Sequence, residues 1–164
     1  MTDIFNKEKR SDIMSKVRSK NTKPEIMVRK GLYSKGFRYR LYLDQLPGKP
    51  DLCLKKYNAV IFVHGCLWHW HGCSRSRMPS SNMDYWVKKI NNNRVRDQKN
   101  IVKLLNSGWR VLIIWECSVK KTLLDKTLLL THKWLIGGEE NFVAIEPKNK
   151  KEISLVNMAV FMGK

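Results

Sequence analysis

The chain has 164 residues, 43% of them apolar, enough to bury one core and too apolar for a disordered polyelectrolyte. Its 32 Lys and Arg against 14 Asp and Glu leave +18 at pH 7. Self-repelling charge on that scale points to a polyanion partner, nucleic acid first, with a merely soluble or ribosome-like basic protein as the plainer reading. No apolar run reaches the roughly 18 residues of a bilayer span, and M-T-D-I-F-N-K has no signal-peptide pattern. The expectation is a cytoplasmic, nucleoid-associated protein whose four cysteines are buried or hold metal rather than pair.

In chain order, residues 1–20 form a polar, basic arm in which 11–19 can make a short helix with Ile13, Met14 and Val17 on one side. Residues 22–36 predict a helix. Thr22 stands at the N-cap, Pro24 in the first turn, Glu25 in the capping-box position and Gly36 at the stop. Glu25 has two compatible readings: a cap for its own helix, which the residues alone favour, or a carboxylate beside an active site. Residues 37–43 alternate with period two and predict a strand. The turn L-P-G-K-P then delivers Asp51 to the head of D-L-C-L-K, and a strand over 59–63 completes a hairpin.

Residues 82–107 are helical in pattern but interrupted by N-N-N-R-V-R-D-Q, giving one kinked helix or two. W-R-V-L-I-I-W over 109–115 is a buried strand that runs into Glu116 and Cys117. A helix over 122–136 stops at Gly137-Gly138, a strand over 141–145 follows, and the residues past Glu152 carry no assignment. The order is α-β-β-β-α-β-α. The fold class is α/β, one domain over 1–164 with a mixed β-sheet flanked by helices, a basic arm over 1–20 and a C-terminal extension over 139–164.

The chemistry concentrates in V-I-F-V-H-G-C-L-W-H-W-H-G-C, residues 60–73, which holds three of the four histidines. A solvated loop would carry Ser, Asn and Lys instead. Cys66, His71 and Cys73 are spaced C-x4-H-x-C, and Cys117 follows a strand that can lie alongside. Thiolates with one imidazole suit tetrahedral Zn²⁺, and a closed set of four would be structural; the plainer reading is four buried cysteines, as Cys53 between Leu52 and Leu54 is taken to be. Asp51 past its turn can bind Mg²⁺ through oxygen, and His64 and His69 stand on the paired strand and its loop. One metal-binding carboxylate and one imidazole are the minimum for metal-assisted phosphodiester hydrolysis. A turn-forming aspartate and zinc-ligating histidines explain the same residues equally well.

Taken together, P-G-K-P-D (47–51), F-V-H-G-C-L-W-H-W-H-G-C (62–73), Y-W-V-K-K-I-N-N-N (85–93), R-D (96–97) and G-W-R-V-L-I-I-W-E-C (108–117) closely resemble the very short patch repair (Vsr) endonucleases, in the same order, over roughly residues 8–120. The resemblance implies a PD-(D/E)XK-like, restriction-endonuclease-like core with a structural zinc site. It implies an Mg²⁺-dependent enzyme that nicks the thymine strand at T:G mismatches left by deamination of 5-methylcytosine. Carried over, Asp51 is the metal-binding aspartate, with the Val63 backbone carbonyl as a further ligand. His69 is the general base, His64 a supporting histidine, and Glu25 the acid that holds a water at the metal. Cys66, His71, Cys73 and Cys117 are the zinc ligands.

Leu67, Trp68 and Trp86 match residues that enter the major groove beside the mismatch, and Met14 the residue that enters the minor groove. Leu67 departs from the usual aromatic; it can wedge but cannot stack. The second strand also departs from ordinary PD-(D/E)XK nucleases, with V-H-G where acid-x-Lys would stand. Lys89, Asn93 and Arg94, within a polar cluster over 88–96, are expected to position phosphates. The implied partners are double-stranded DNA with a T:G mismatch, other mismatch-repair proteins and a downstream DNA polymerase. A monomer suffices for an asymmetric lesion. The competing readings are a site-specific nicking or restriction-type nuclease on matched DNA, and a non-catalytic zinc DNA-binding module.

Overall fold

Continuous apolar runs such as A-V-I-F-V and V-L-I-I-W are what strands buried on both faces require, and here they form the centre of a five-stranded mixed sheet in the order β1-β2-β3-β4-β5. The computed structural model describes residues 8–9, 12, 15–16, 20–149 and 151–163. Strands β1 (Leu52–Leu54) and β2 (Ala59–His64) are an antiparallel hairpin, joined by a 3-10 turn over Lys55–Tyr57 and by Asn58 in the left-handed region. Helix α2 (Met83–Asn106) crosses over to β3 (Arg110–Trp115), parallel to β2. Helix α3 (Leu124–Gly137) crosses over to β4 (Phe142–Pro147), parallel to β3, and β5 (Ile153–Val156) closes the sheet antiparallel. Helix α1 (Lys23–Ser34) precedes the sheet and the short α4 (Met158–Met162) follows it.

Alternate residues of the strands divide the core in two. Leu52, Leu54, Ile61, Leu112, Ile114 and Ile145 pack under Val28 and Leu32 of α1 and Leu128, Trp134 and Leu135 of α3. Cys53, Val60, Phe62, Val111, Ile113 and Trp115 pack under Ile101 and Leu104 of α2, with Phe161 of α4 against the edge. Cys53 is thus core, as its apolar neighbours predict.

Four expectations need correction. Residues 37–43 make no strand, only an isolated bridge between Arg40 and Cys53. Tyr42 takes a left-handed φ of 47° and its hydroxyl turns back to Glu25, which pulls the chain off the sheet. Residues 82–107 form one helix, because the polar patch faces a polar site rather than a core: Asn93, Asp97 and Asn100 share one stripe, ahead of buried Ile101. The 139–164 region holds two strands and a helix, not one strand. The order therefore becomes α-β-β-α-β-α-β-β-α. Met14 and most of the helix expected over 11–19 lie outside the described residues, which here are only Asp12, Ser15 and Lys16.

The three parallel strands end together. His64 pairs in register with Trp115, and Ile114 with Ile145, so His64, the turn carrying Glu116 and Cys117, and Glu146 all emerge at one edge. Open α/β sheets place ligands at that carboxyl edge.

Candidate active site and metal centre

The loop after β2 folds tightly on itself. The His69 N–H donates to the Gly65 carbonyl at 3.2 Å and the His71 N–H to the Cys66 carbonyl at 2.9 Å. A Cβ on Gly65 would lie 3.0 Å from Trp68 Cδ1 and 3.4 Å from Glu116 Oε2, so glycine is what lets the loop close. Ser76 adds a brace, donating to the Cys66 carbonyl at 2.9 Å and accepting from the Gly72 N–H at 3.1 Å. Two histidines of the one loop thereby point to opposite centres, His69 to a cleft and His71 into the protein.

On the inward side, the donor atoms of Cys66, His71, Cys73 and Cys117 all lie within 4.8 Å of one another. His71 Nδ1 is 3.8 Å from Cys66 Sγ and 3.4 Å from Cys117 Sγ, near the separation of about 3.6 Å that tetrahedral zinc imposes between a nitrogen and a sulfur ligand. Hydrogen bonding to Cys117 and burial push the Cys66 thiol well above its usual range. Three sulfurs and one nitrogen, convergent and all buried except the half-buried Cys73, fit a soft or borderline divalent metal held in a closed site. Glu146 of β4 accepts from His71 Nε2 at 2.9 Å, which fixes the ring so that Nδ1 faces the sulfurs. Trp115 stacks on the same ring, centroids 4.4 Å apart.

On the outward side, a cleft of about 940 Å³ is lined by Glu25, Asp51, Val63, His64, His69 and Asp97, with Trp68 and Lys89 at its rim. Asp51 reaches it because Gly48, with φ 74°, turns the preceding chain tightly over α2. Asp51 Oδ2 accepts from the Val63 N–H at 2.7 Å. A residue in a strand points its N–H and C=O to the same edge; β1 starts at Leu52 opposite Ile61, so the next residue facing Val63 would be Pro50, which has no N–H. The Val63 carbonyl is thus left for another partner beside the Asp51 carboxyl. Burial pushes that carboxyl up to about 7, against the Val63 hydrogen bond. A buried carboxyl beside a spare carbonyl is an oxygen-rich niche that a hard divalent cation would relieve.

His64 and His69 stack face to face, centroids 3.8 Å apart and planes within 6°. Both, with Asp97, have donor atoms close enough to hold a metal. Their lone pairs, however, lie in parallel planes and do not converge on one ion. What such a stack can do is take up and hold a proton. Asp97 of α2 binds His69 Nδ1 in a short contact, which leaves Nε2 as the free nitrogen. Burial would raise Asp97, but the His69 hydrogen bond and the charges of His69, His64 and Arg96 outweigh it and hold the carboxyl below its usual range. His64 is only 6% exposed. Burial and then His69 drive it well below the usual imidazole range, and its Nδ1 has no hydrogen-bond partner among the described residues. Of the two rings, His69 is the one that can take a proton from the cleft.

Glu25 lies in the same cleft, 3% exposed, and is not the capping-box residue its spacing predicts. Thr22 makes no side-chain cap to the backbone; its hydroxyl donates instead to Glu25 Oε1 at 2.7 Å. Oε2 accepts from the Asn21 N–H at 3.0 Å, Arg29 Nη2 at 2.7 Å and the Tyr42 hydroxyl at 2.6 Å. Asn21 (φ 56°) and Tyr42 (φ 47°) both hold left-handed backbone to do so, at a cost of about 1 kcal/mol or more each.

The remaining predicted residues gather on one side. Trp68 and Trp86 lie 5.7 Å apart at 50°, Tyr85 meets Trp86 edge to face, and the Lys89 ammonium sits over all three rings. Asn93 donates to the Trp68 carbonyl at 3.0 Å and so ties the loop to α2. Leu67 is half-buried, and Arg94 lines a narrow pocket behind the histidine pair. Met14 lies outside the described residues. Asp97, Glu146, Arg29 and Tyr42 were missing from the predicted set. The R-D pair at 96–97 carried a signal for Asp97, and the other three have none that spacing reveals.

The family profile described as DNA mismatch endonuclease Vsr matches residues 2–75. Type II nicking enzyme V.NmeAIP of Neisseria meningitidis serogroup A is 49% identical over 120 residues, 73% of this chain and 86% of that protein. Type II nicking enzyme V.XorIIP of Xanthomonas oryzae pv. oryzae is 48% identical over 119 residues, 73% and 88% of the two chains. DNA mismatch endonuclease Vsr of Escherichia coli K12 is 36% identical over 140 residues, 84% and 90%. With relatives of that identity spanning most of both chains, this protein belongs to the Vsr family of DNA endonucleases.

Proposed function

We propose that the protein is an Mg²⁺-dependent endonuclease that nicks the thymine strand at T:G mismatches arising from 5-methylcytosine deamination. The observation that carries the reading is the pairing of His69 with Asp97, which leaves one free imidazole nitrogen in the cleft that Asp51 and Glu25 also line. In the reaction, His69 Nε2 takes a proton from water as the water oxygen bonds to phosphorus and the bond from phosphorus to the leaving sugar oxygen breaks. Asp97 holds the ring in that tautomer and stabilises the imidazolium that forms. Glu25 orients the water through a carboxylate oxygen. His64, buried and neutral, backs the His69 ring.

Asp51 and the Val63 carbonyl would hold the cation, which supplies charge stabilisation on the phosphate. The hairpin with Asp51 at its head supports a PD-(D/E)XK-like core in which V-H-G stands where acid-x-Lys is usual. Zn²⁺ in the Cys66, His71, Cys73, Cys117 set would brace the loop. Trp68, Trp86 and Leu67 would wedge beside the mispair, where unstacking costs least, with Lys89 and Arg94 on the backbone.

A second reading is favoured by the names of the Neisseria and Xanthomonas relatives, Type II nicking enzymes: a nickase on matched sites. End-labelled duplexes with and without a single T:G, incubated with Mg²⁺ or with chelator, separate the two. Cutting of only the thymine strand of the mismatch, abolished by chelator, is the expected result; equal cutting of matched DNA selects the second reading.

A further inference from the structure

Resting on the role of Glu25 proposed above, we infer that Arg29 and Tyr42 are positioning residues that clamp Glu25 by one oxygen and so present the other to water in the cleft. Glu25 Oε2 is saturated by three donors, the Asn21 N–H, Arg29 Nη2 and the Tyr42 hydroxyl. Oε1 accepts only the Thr22 hydroxyl among the described residues, and a carboxylate oxygen has room for a second donor. The asymmetry is built rather than incidental. Arg29 stands one turn after Glu25 on α1, is 7% exposed, and uses its other terminal nitrogen to hold the Asn21 side chain at 2.7 Å.

Tyr42 arrives from a different segment, and its hydroxyl meets Arg29 as well as Glu25. Two cations sit over its ring, Lys20 Nζ and Arg29 Cζ each 4.9 Å from the centroid. A carboxylate free to rotate about its last bond would offer either oxygen to the cleft. One locked by donors from Asn21, α1 and the Tyr42 segment offers a single lone pair in a fixed direction, and catalysis rewards groups already oriented before the substrate binds. The left-handed backbone at Tyr42 belongs to this device, since an extended strand there would carry the hydroxyl away from Glu25.

The test is a double-mutant cycle on full-length protein, measuring single-turnover nicking rate and DNA affinity for Tyr42→Phe, Glu25→Gln and the pair, with thermal unfolding as the folding check. Tyr42→Phe removes one oxygen and keeps the ring. The expected result is a loss of about tenfold in rate with DNA affinity unchanged, and no further loss when the substitution is made in Glu25→Gln. An equal loss in both backgrounds, or an unchanged rate in Tyr42→Phe, overturns the clamp while Glu25 keeps its role if Glu25→Gln is itself slow. Full activity in Glu25→Gln overturns the underlying reading of Glu25 instead. Arg29→Met, compared in the same two backgrounds, reads the other arm of the clamp. If it fails to fold, Tyr42→Phe alone decides.

Discussion

One loop supplies two imidazole–carboxylate pairs that do opposite things. His71 gives Nε2 to Glu146 and turns Nδ1 to three sulfurs; His69 gives Nδ1 to Asp97 and turns Nε2 to the cleft. Side-chain exposure follows the difference, 6% for His71 and 21% for His69. The same pair of groups becomes a fixed ligand where the second nitrogen meets a closed, dry donor set. On the proposed reading it becomes a proton acceptor where that nitrogen meets the cleft. The direction of the ring, set by which element supplies the carboxylate, decides between the two. β4 supplies it for the inner pair and α2 for the outer.

Breaking the inner half has the largest expected effect. Cys117→Ser should lose the metal and destabilise the fold by at least several kcal/mol, since structural zinc binding is worth about 10–16 kcal/mol in zinc-finger peptides. Chemical denaturation with metal analysis checks it. The outer half breaks without that penalty: His69→Ala should slow nicking by about 10³-fold while melting like the parent.

Asp51 sharpens the contrast through pH. Its folded pKa of about 7 stands against an ordinary value of 3.8. In chelator the fold keeps it protonated while the unfolded chain ionises. Its contribution is therefore intact below pH ~4 and lost as pH rises through ~7. Asp51→Asn escapes that loss, so in chelator at pH 8 it should be more stable than the parent by on the order of 3 kcal/mol, with the gap closing towards pH ~4. Parallel denaturant titrations at the two pH values give the answer, and a gap that widens towards acid contradicts the assignment.

Two conservative changes then probe the carboxylates themselves. Asp97→Asn should cost about 10²-fold in rate with little change in stability, because the ring loses its preferred tautomer. Glu146→Gln should weaken metal retention by about tenfold in competition with a chromophoric chelator and leave the nicking rate of the loaded protein nearly unchanged.

How much of this was legible in the sequence divides along a similar line. The buried strands announced themselves through V-I-F-V and V-L-I-I-W, and the four metal-type donors through their clustering on one loop and one strand end. Tyr42 misled: its stretch alternates as a strand does, yet the pull of a buried carboxylate on its hydroxyl outweighs strand propensity. The polar patch of α2 looks like a break because periodicity measures burial against apolar neighbours, and this stripe is half-buried against the Trp68 carbonyl, His69 and the Gly48 turn. Asp97 stands in the R-D pair at 96–97, where nothing local assigns it a partner. Glu146 lies 75 residues from His71, and only the parallel register of β3 and β4 brings them together. The strand and helix after Glu152 are held by β4 and by Phe161 against Phe142 and Trp115, contacts that local pattern does not encode.

The division of the loop is tested most directly by following metal and activity in one preparation. The protein would be dialysed against chelator, its zinc content measured, and nicking of a T:G duplex assayed before and after Mg²⁺ is returned. The account predicts about one zinc retained per chain, no nicking in chelator, and full recovery with Mg²⁺ alone. Zinc leaving together with activity, and recovery that needs zinc rather than Mg²⁺, would contradict it by placing both functions in one centre.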